Sequence, residues 1–292
     1  MYVFMINQKK IIIYNFMLSE LRRYIYHTRH SGFAGLFRYI RLSNFEKKIF
    51  KDKTLKWNNL GYWEMYTMPT TSELKKFYSE IYWLNNKYYK SHLLIGRDLS
   101  HLNFLEQKIP EKLIPGSIFM NYGAGHGGVS YLAAAKNLRV INIEPSELYT
   151  GGLNNFINYF NLEDYFTSSE NSPKVDVFYS SHTLEHLNDP ILFFKNILRL
   201  INDNGKVVIE VPNCRVINPG KDYNEGGCNG KLSSNHTLFF TKDFFEKLNA
   251  KIFLYTGDVD QGEYLEVPVE DNAKCIRAII DPKNISKWIN EI

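Results

Sequence analysis

The spacing of apolar residues changes character once, near residue 116. Between Ser72 and about Glu111 it is helical, with Leu74, Phe77, Tyr78, Ile81 and Tyr82 on one face. Pro69 and Thr70-Thr71-Ser72 supply the break and N-cap before that run, and Pro110 and Pro115-Gly116 close it. From Ser117 onward, short β-rich runs alternate with helical ones. Residues 118–122 read as a buried strand, followed by a glycine-rich turn and a helix through Ala135. Residues 140–143 read as the second strand, then a helix from about Gly152 to Phe160, and a weakly marked third strand near Tyr165 to Ser169. Residues 176–181 are the fourth strand, Pro190 to Ile201 a helix and Lys206 to Val211 the fifth strand. A loop rich in Gly and Asn runs from Asn213 to Asn235, a last helix holds Phe244 to Leu248, and final strands fall near 251–256 and 275–280. The alternation predicts an α/β fold: a doubly wound, mostly parallel, seven-stranded Rossmann-like sheet with crossovers on both faces and a helical N-terminal extension.

Composition adds limits. With 292 residues, 44% apolar and 23% charged, the chain is neither disordered nor fibrous. Charge divides it further. Residues 1–60 hold twelve Lys or Arg against three acids, whereas the remainder carries five more acids than bases, so the net +4 is a residue of two opposite tendencies. We read 1–60 as a basic helical extension, 61–116 as a helical lead-in, and 117–292 as the catalytic domain. Rings interleaved with Arg in the extension suit an amphipathic helix, with an anionic membrane surface or nucleic acid as the alternative partner. No apolar run reaches the roughly 18 residues of a membrane span. Lys9 and Lys10 precede only a short apolar stretch, and Arg22 and Arg23 follow it where a signal peptide would have a small-residue cleavage site. Cys214, Cys228 and Cys275 show no C-x-x-C spacing, which speaks against a disulfide framework and fits a reducing interior. The expected location is the cytoplasm.

The turn after the first strand, Gly123-Ala124-Gly125-His126-Gly127, lets the backbone bend sharply and approach a ligand. Glu144 ends the next strand about twenty residues later, placed to accept hydrogen bonds from ribose hydroxyls. A nucleoside-containing cofactor follows. Gly128 completes a G-x-G-x-x-G, so spacing alone leaves a dinucleotide open.

The second half separates the two. Residues 176–190, DVFYSSHTLEHLNDP, followed by an amphipathic helix and then NGKVVIEVPN at 204–213, resemble the class I S-adenosylmethionine-dependent methyltransferases, in the branch acting on sugars and other small polar molecules. The resemblance spans about 117 to 281. It implies S-adenosylmethionine as cofactor, with Gly123, Ala124 and Gly125 facing its methionine part, Glu144 on the ribose with Pro145 beside it, and Ser181 near the transferred methyl. One departure stands out: the family usually has Asp where this chain has Asn121, which removes a charge near the cofactor's amino group.

His182-x-x-Glu185-His186, with His236 fifty residues later, is the other constellation. On a helical turn, positions i, i+3 and i+4 share a face. His182, Glu185, His186 and His236 could then hold a divalent ion, of a kind such as iron or zinc rather than magnesium. A similar set, with a carboxylate at the first position, occurs in the small-RNA terminal 2′-O-methyltransferases. The metal-free reading makes His182 or His186 a general base. H-x-x-E-H also matches a zinc-protease pattern, but Asn188-Asp189-Pro190 leaves no room for the long helix that pattern needs. The expected activity is O-methylation of a hydroxyl on a sugar or sugar-containing small molecule. RNA 2′-O-methylation and a non-catalytic cofactor-binding protein are its rivals.

Overall fold

A computed structural model describes residues 37, 40–50, 54–82, 96–146, 156–168, 173–214, 235–256, 265–268 and 273–292. Residues 1–51 and 52–292 form two compact units. In the first, residues 40–49 are helical (α1), with Leu42 and Ile49 buried. Most of residues 1–39, residues 51–53 and nearly all of the 213–235 loop lie outside the described residues.

The second unit contains a β-hairpin, β1 (Leu55–Asn58) and β2 (Tyr62–Met65), where the sequence suggested the end of the basic helical extension and the start of a helical lead-in. Gly61 makes the turn, with φ +97° and the Phe244 backbone so close that a Cβ would lie 2.6 Å from its nitrogen. Helix α2 (Thr71–Glu80) follows, started by a full capping box: Glu73 N–H donates to Thr70 Oγ1, and Thr70 N–H to the Glu73 carboxylate. Helix α3 (Gly96–Lys108) then leads into the main sheet.

That sheet contains β3 (Ile118–Tyr122), β4 (Arg139–Ile143), β5 (Ile157–Tyr159), β6 (Val175–Ser181), β7 (Ile201–Pro212), β9 (Lys251–Thr256), β10 (Leu265–Glu266) and β11 (Cys275–Ile280), in the order β10-β9-β11-β7-β6-β3-β4-β5. The five strands from β7 to β5 are parallel, and β11, β9 and β10 run antiparallel. The fold class is as expected, although eight strands rather than seven are described. Beside this sheet, β8 (Leu238–Phe240) pairs with β2, so a second small sheet joins the hairpin to a strand nearly 180 residues away.

Alternation along the strands divides the core between two faces. Phe119, Val140, Val177 and Val208 pack with Phe104, Leu105, Val129 and Ala133, from α3 and from α4 (Gly128–Ala135). Met120, Ile141, Phe178 and Ile209 pack on the other face. They meet α5 (Leu162–Ser168), α6 (Pro190–Leu200), α7 (Lys242–Lys247) and α8 (Pro282–Glu291) through Tyr165, Phe194, Phe244 and Trp288. Helices on both faces of a parallel sheet are the doubly wound arrangement.

Two sequence expectations need correction between residues 152 and 169. The third strand is Ile157–Tyr159, inside the expected helix, and the expected third strand is helix α5. Asn161 explains the shift, because its side chain accepts from Asp164 N–H at 2.9 Å and its amide donates back to the Asp164 carboxylate, starting a helix there. Among the described residues, no helix is long and apolar enough to cross a membrane.

Candidate active site

The strand order reverses between β3 and β6, and in such sheets ligands bind outside the carboxyl ends of the strands at that point. A cavity of about 860 Å³ lies there, reaching from the turn after β3 across the ends of β4 and β6 to α2. Gly123, Ala124, Gly125, Glu144, Pro145, Ser181, His182 and His186 all line it. Glu185 and His236 do not line it.

The glycine turn has left-handed backbone at Gly123, Gly125 and Gly127 (φ +75°, +54° and +77°). A Cβ on Gly123 would fall 2.0 Å from Thr183 Oγ1, so only glycine lets the turn lie against the segment after β6. The Glu144 carboxylate, 3% exposed, accepts from Gly125 N–H at 2.7 Å and Ser146 N–H at 3.0 Å, fixing the turn to the end of β4. Asp98, on the first turn of α3, packs against Gly128, where a Cβ would come within 2.1 Å of Oδ2, and it pairs with His126 at 3.0 Å. This carboxylate stands near the N-terminus of α4, where a dinucleotide would bring its pyrophosphate. The two negative charges would repel, so the third glycine here makes room for an acid instead.

Asn121 is buried and serves a neutral relay. Its amide donates to Ser130 Oγ (2.9 Å), Ser130 Oγ to Asn142 Oδ1 (2.6 Å), and the Asn142 amide to Asn158 Oδ1 (3.1 Å). An ionised aspartate could not donate the first of these bonds, which gives the departure from the usual Asp a structural reason.

The histidine segment is not the helical turn the spacing suggested. His182 has φ +51°, and only residues 184–186 form a single 3₁₀ turn. His182 thereby stands between two carboxylates, Glu185 and Glu210. Its Nε2 lies 3.1 Å from Glu210 Oε1 and its Nδ1 3.3 Å from Glu185 Oε1. It belongs with Glu210 and Cys275, whose potential ligand atoms and its own lie within 4.8 Å of one another. Glu185, His186 and His236 make a second group of the same tightness. What brings His236 in is the next residue: Thr237 N–H donates to the Glu185 carbonyl at 2.9 Å, just before β8 joins the hairpin.

The two groups differ in compensation. Glu210, 1% exposed, is bonded by Arg277 Nε from the adjacent strand β11 and approached by His101 Nε2 at 3.2 Å. Burial alone would raise its carboxyl, but His101 and Arg277 hold it well below the usual range. His182 is driven the other way. Burial opposes its charge, yet Cys275, Glu185 and Glu210 raise its pKa well above the ordinary histidine value. Glu185 is equally buried, and neither of its oxygens is aligned with a hydrogen-bond donor. Burial raises its pKa too, but the neighbouring imidazoles, His182 foremost, bring it down to about 2. Burial lowers His186, and burial with His186 beside it lowers His236 to about 3. The result is an ionised carboxylate with the charged His182 at 3.3 Å and two neutral imidazoles farther off, His186 Nε2 at 4.0 Å and His236 Nε2 at 3.9 Å from Glu185 Oε1. A buried anion left so is a donor set suited to a divalent cation.

Several residues here escaped the sequence reading. Tyr78 and Tyr82 were legible only as part of an apolar helical face, yet both line the cavity beside His186. His101, Glu210 and Arg277 come from three elements, and no local spacing relates them. Cys275 is a buried free thiol, whereas Cys214 is disulfide-bonded, so the reducing-interior expectation loses the support it drew from unpaired cysteines.

A family model described as a methyltransferase domain matches residues 99–252, just over half of the chain. No curated protein matches. Among solved structures, an S-adenosylmethionine-dependent methyltransferase from Mesorhizobium loti is 17% identical with a TM-score of 0.33, covering 39% of this chain and 54% of its own. The chain thus spans about half the length of that relative. One from Geobacter sulfurreducens, in complex with S-adenosylhomocysteine, is 15% identical with a TM-score of 0.44, covering 61% and 74%. The magnesium protoporphyrin IX methyltransferase from Synechocystis is 13% identical with a TM-score of 0.40, covering 63% and 80%. The family match, running from within α3 to the start of β9 and taking in the glycine turn, Glu144 and the histidine segment, settles the identity: the chain belongs to the methyltransferase-domain family, with the class I fold of enzymes that take their methyl group from S-adenosylmethionine.

Proposed function

We propose that this protein is an S-adenosylmethionine-dependent O-methyltransferase whose acceptor is a hydroxyl of a sugar or sugar-containing small molecule, assisted by a divalent transition metal. The observation that carries the metal is Glu185, a buried carboxylate without an aligned donor, grouped with the neutral imidazoles of His236 and of His186, the latter lining the cofactor crevice. The sugar rests on the resemblance of residues 176–190 and 204–213 to the sugar-acting branch.

The residues fit the cofactor. The glycine turn leaves its backbone bare for the methionine part, and the Glu144 carboxylate, already anchored by two N–H groups, keeps lone pairs for ribose hydroxyls. Ser181, at the end of β6, lines the crevice beside the histidine segment, which supports reading that end as the methyl-bearing one. Glu185, His186 and His236 would hold the metal, which when bound lowers the pKa of an acceptor hydroxyl and fixes its direction. His182 is the poorer base, because its nitrogens face two carboxylates that keep it protonated. Its role is to offset their charge. We place the basic segment 1–60 outside the catalytic step, as an amphipathic extension of a cytoplasmic protein.

The test measures S-adenosylhomocysteine binding by calorimetry, metal content by elemental analysis, and methyl transfer to a panel of sugars with and without chelator. Cofactor binding, stoichiometric metal and chelator-sensitive transfer to a sugar are expected. Activity that survives chelation in metal-free protein would sink the metal, and absence of cofactor binding would leave a non-catalytic protein. The excess of basic charge in 1–60 favours RNA as the second acceptor, and steeply salt-dependent RNA binding would promote it.

A further inference from the structure

Tyr78 lies on α2, away from both motifs, and yet its hydroxyl touches the metal group. It stands 2.9 Å from the Asn235 carbonyl and 2.7 Å from His186 Nδ1. A carbonyl can only accept, so the single phenolic proton goes to Asn235. The phenolic oxygen then has only lone pairs to offer His186, and Nδ1 must carry the hydrogen that joins them. The Asn235 carbonyl, 3.3 Å from the same Nδ1, also demands a donor there. The proton of neutral His186 is therefore confined to Nδ1, and the lone pair of Nε2 points toward Glu185 and His236.

We infer that Tyr78 is a positioning residue that selects the His186 tautomer able to bind a cation through Nε2. The inference rests on the metal reading above and deepens it, because it makes helix α2 part of the metal site. The helix is fixed well enough for the task. Its capping box holds the first turn, Leu74 and Phe77 are buried, and the Asn188 amide donates to Thr71 Oγ1 at 3.0 Å, tying its start to the segment just after His186. The Tyr78 and Tyr82 rings pack on the imidazole with centroids 5.0 and 5.7 Å away, which limits its rotation. Asn235 immediately precedes His236, so one hydroxyl joins the chain beside one ligand to the ring of another.

Nitrogen-15 NMR of the metal-free protein, with His186→Gln to identify the signal, reads the tautomer directly. His186 protonated at Nδ1 is expected, and protonation at Nε2 would overturn the inference whether or not a metal binds. Calorimetry with Co²⁺ alone then compares wild type, Tyr78→Phe and Glu185→Gln. Loss of an orienting hydrogen bond on a ligand histidine should weaken Co²⁺ binding about 10- to 100-fold in Tyr78→Phe, leaving S-adenosylhomocysteine affinity unchanged. Wild-type Co²⁺ affinity in Tyr78→Phe overturns the role of Tyr78. Absence of binding in wild type, or equal binding in Glu185→Gln, overturns the metal reading instead. Equal loss of cofactor affinity in Tyr78→Phe would mark a general structural role and also overturn the inference.

Discussion

Glu210 and Glu185 are both 1% exposed and share His182 between them, yet they stand in opposite situations. Glu210 faces a guanidinium and imidazole N–H groups; Glu185 faces imidazoles and has no aligned donor. A fixed guanidinium closes off Glu210, whereas Glu185 has the charged His182 and two neutral imidazoles around it, the set on which the metal proposal rests. Residue type and burial do not tell them apart. The partners do.

The comparison can be broken most forcefully at Arg277. Arg277→Met leaves Glu210 buried without its cation, which should cost about 3–5 kcal/mol in denaturant unfolding. A loss below about 1 kcal/mol would mean the scaffold reading is wrong. Acid probes the same cluster. Burial lowers His101 to about 4 despite its nearness to Glu210. Between about 4 and the unfolded value near 6.5, the unfolded chain binds the extra proton, so stability is lost as pH falls through that window. The share of His101 should approach about 3 kcal/mol, and His101→Gln should remove that share in thermal melts across pH, the shares of His186 and His236 remaining.

Glu185→Gln should behave in the reverse manner. We expect Co²⁺ affinity to fall by about 100-fold, roughly 2.7 kcal/mol, with a smaller loss of unfolding stability than in Arg277→Met, because imidazoles rather than a guanidinium hold the charge. Substantial destabilisation would make Glu185 another Glu210. The smallest effect is expected at Ser181, whose hydroxyl lies 3.4 Å from both His101 Nε2 and Glu210 Oε1. Ser181→Ala should cost less than about 1 kcal/mol, because Arg277 already carries the cluster. A larger loss would show that the hydroxyl, rather than the guanidinium, is what closes it.

The parts legible in the sequence were those written locally. Strand, glycine turn and Glu144 follow one another within about 25 residues, and the Thr70 cap and Pro190 helix start have their own signals. Illegible parts were assembled over distance. Glu210 and Arg277 meet only because β7 and β11 pair, and a tyrosine on an apolar helical face gives no sign that its hydroxyl reaches a histidine more than a hundred residues on. The His182 spacing misled for a local reason: a left-handed residue after β6 sends the ring toward Glu210, and spacing rules assume regular backbone. The Asn161 cap was readable and outweighed the pattern around it.

The small sheet of hairpin and β8 separates the site into two histories. Glu144, the glycine turn and Ser181 are placed by the parallel sheet alone, whereas His236 is held at the foot of a strand whose neighbours are made first during synthesis, nearly 180 residues earlier. Until the final third of the chain emerges, residues 55–65 have no strand to receive. The hairpin is nevertheless no separate module: Tyr62, Leu238 and Phe240 share one core with Met120, Phe178 and Ile209, so losing it would reach the cofactor-binding body as well as the Glu185–His236 corner.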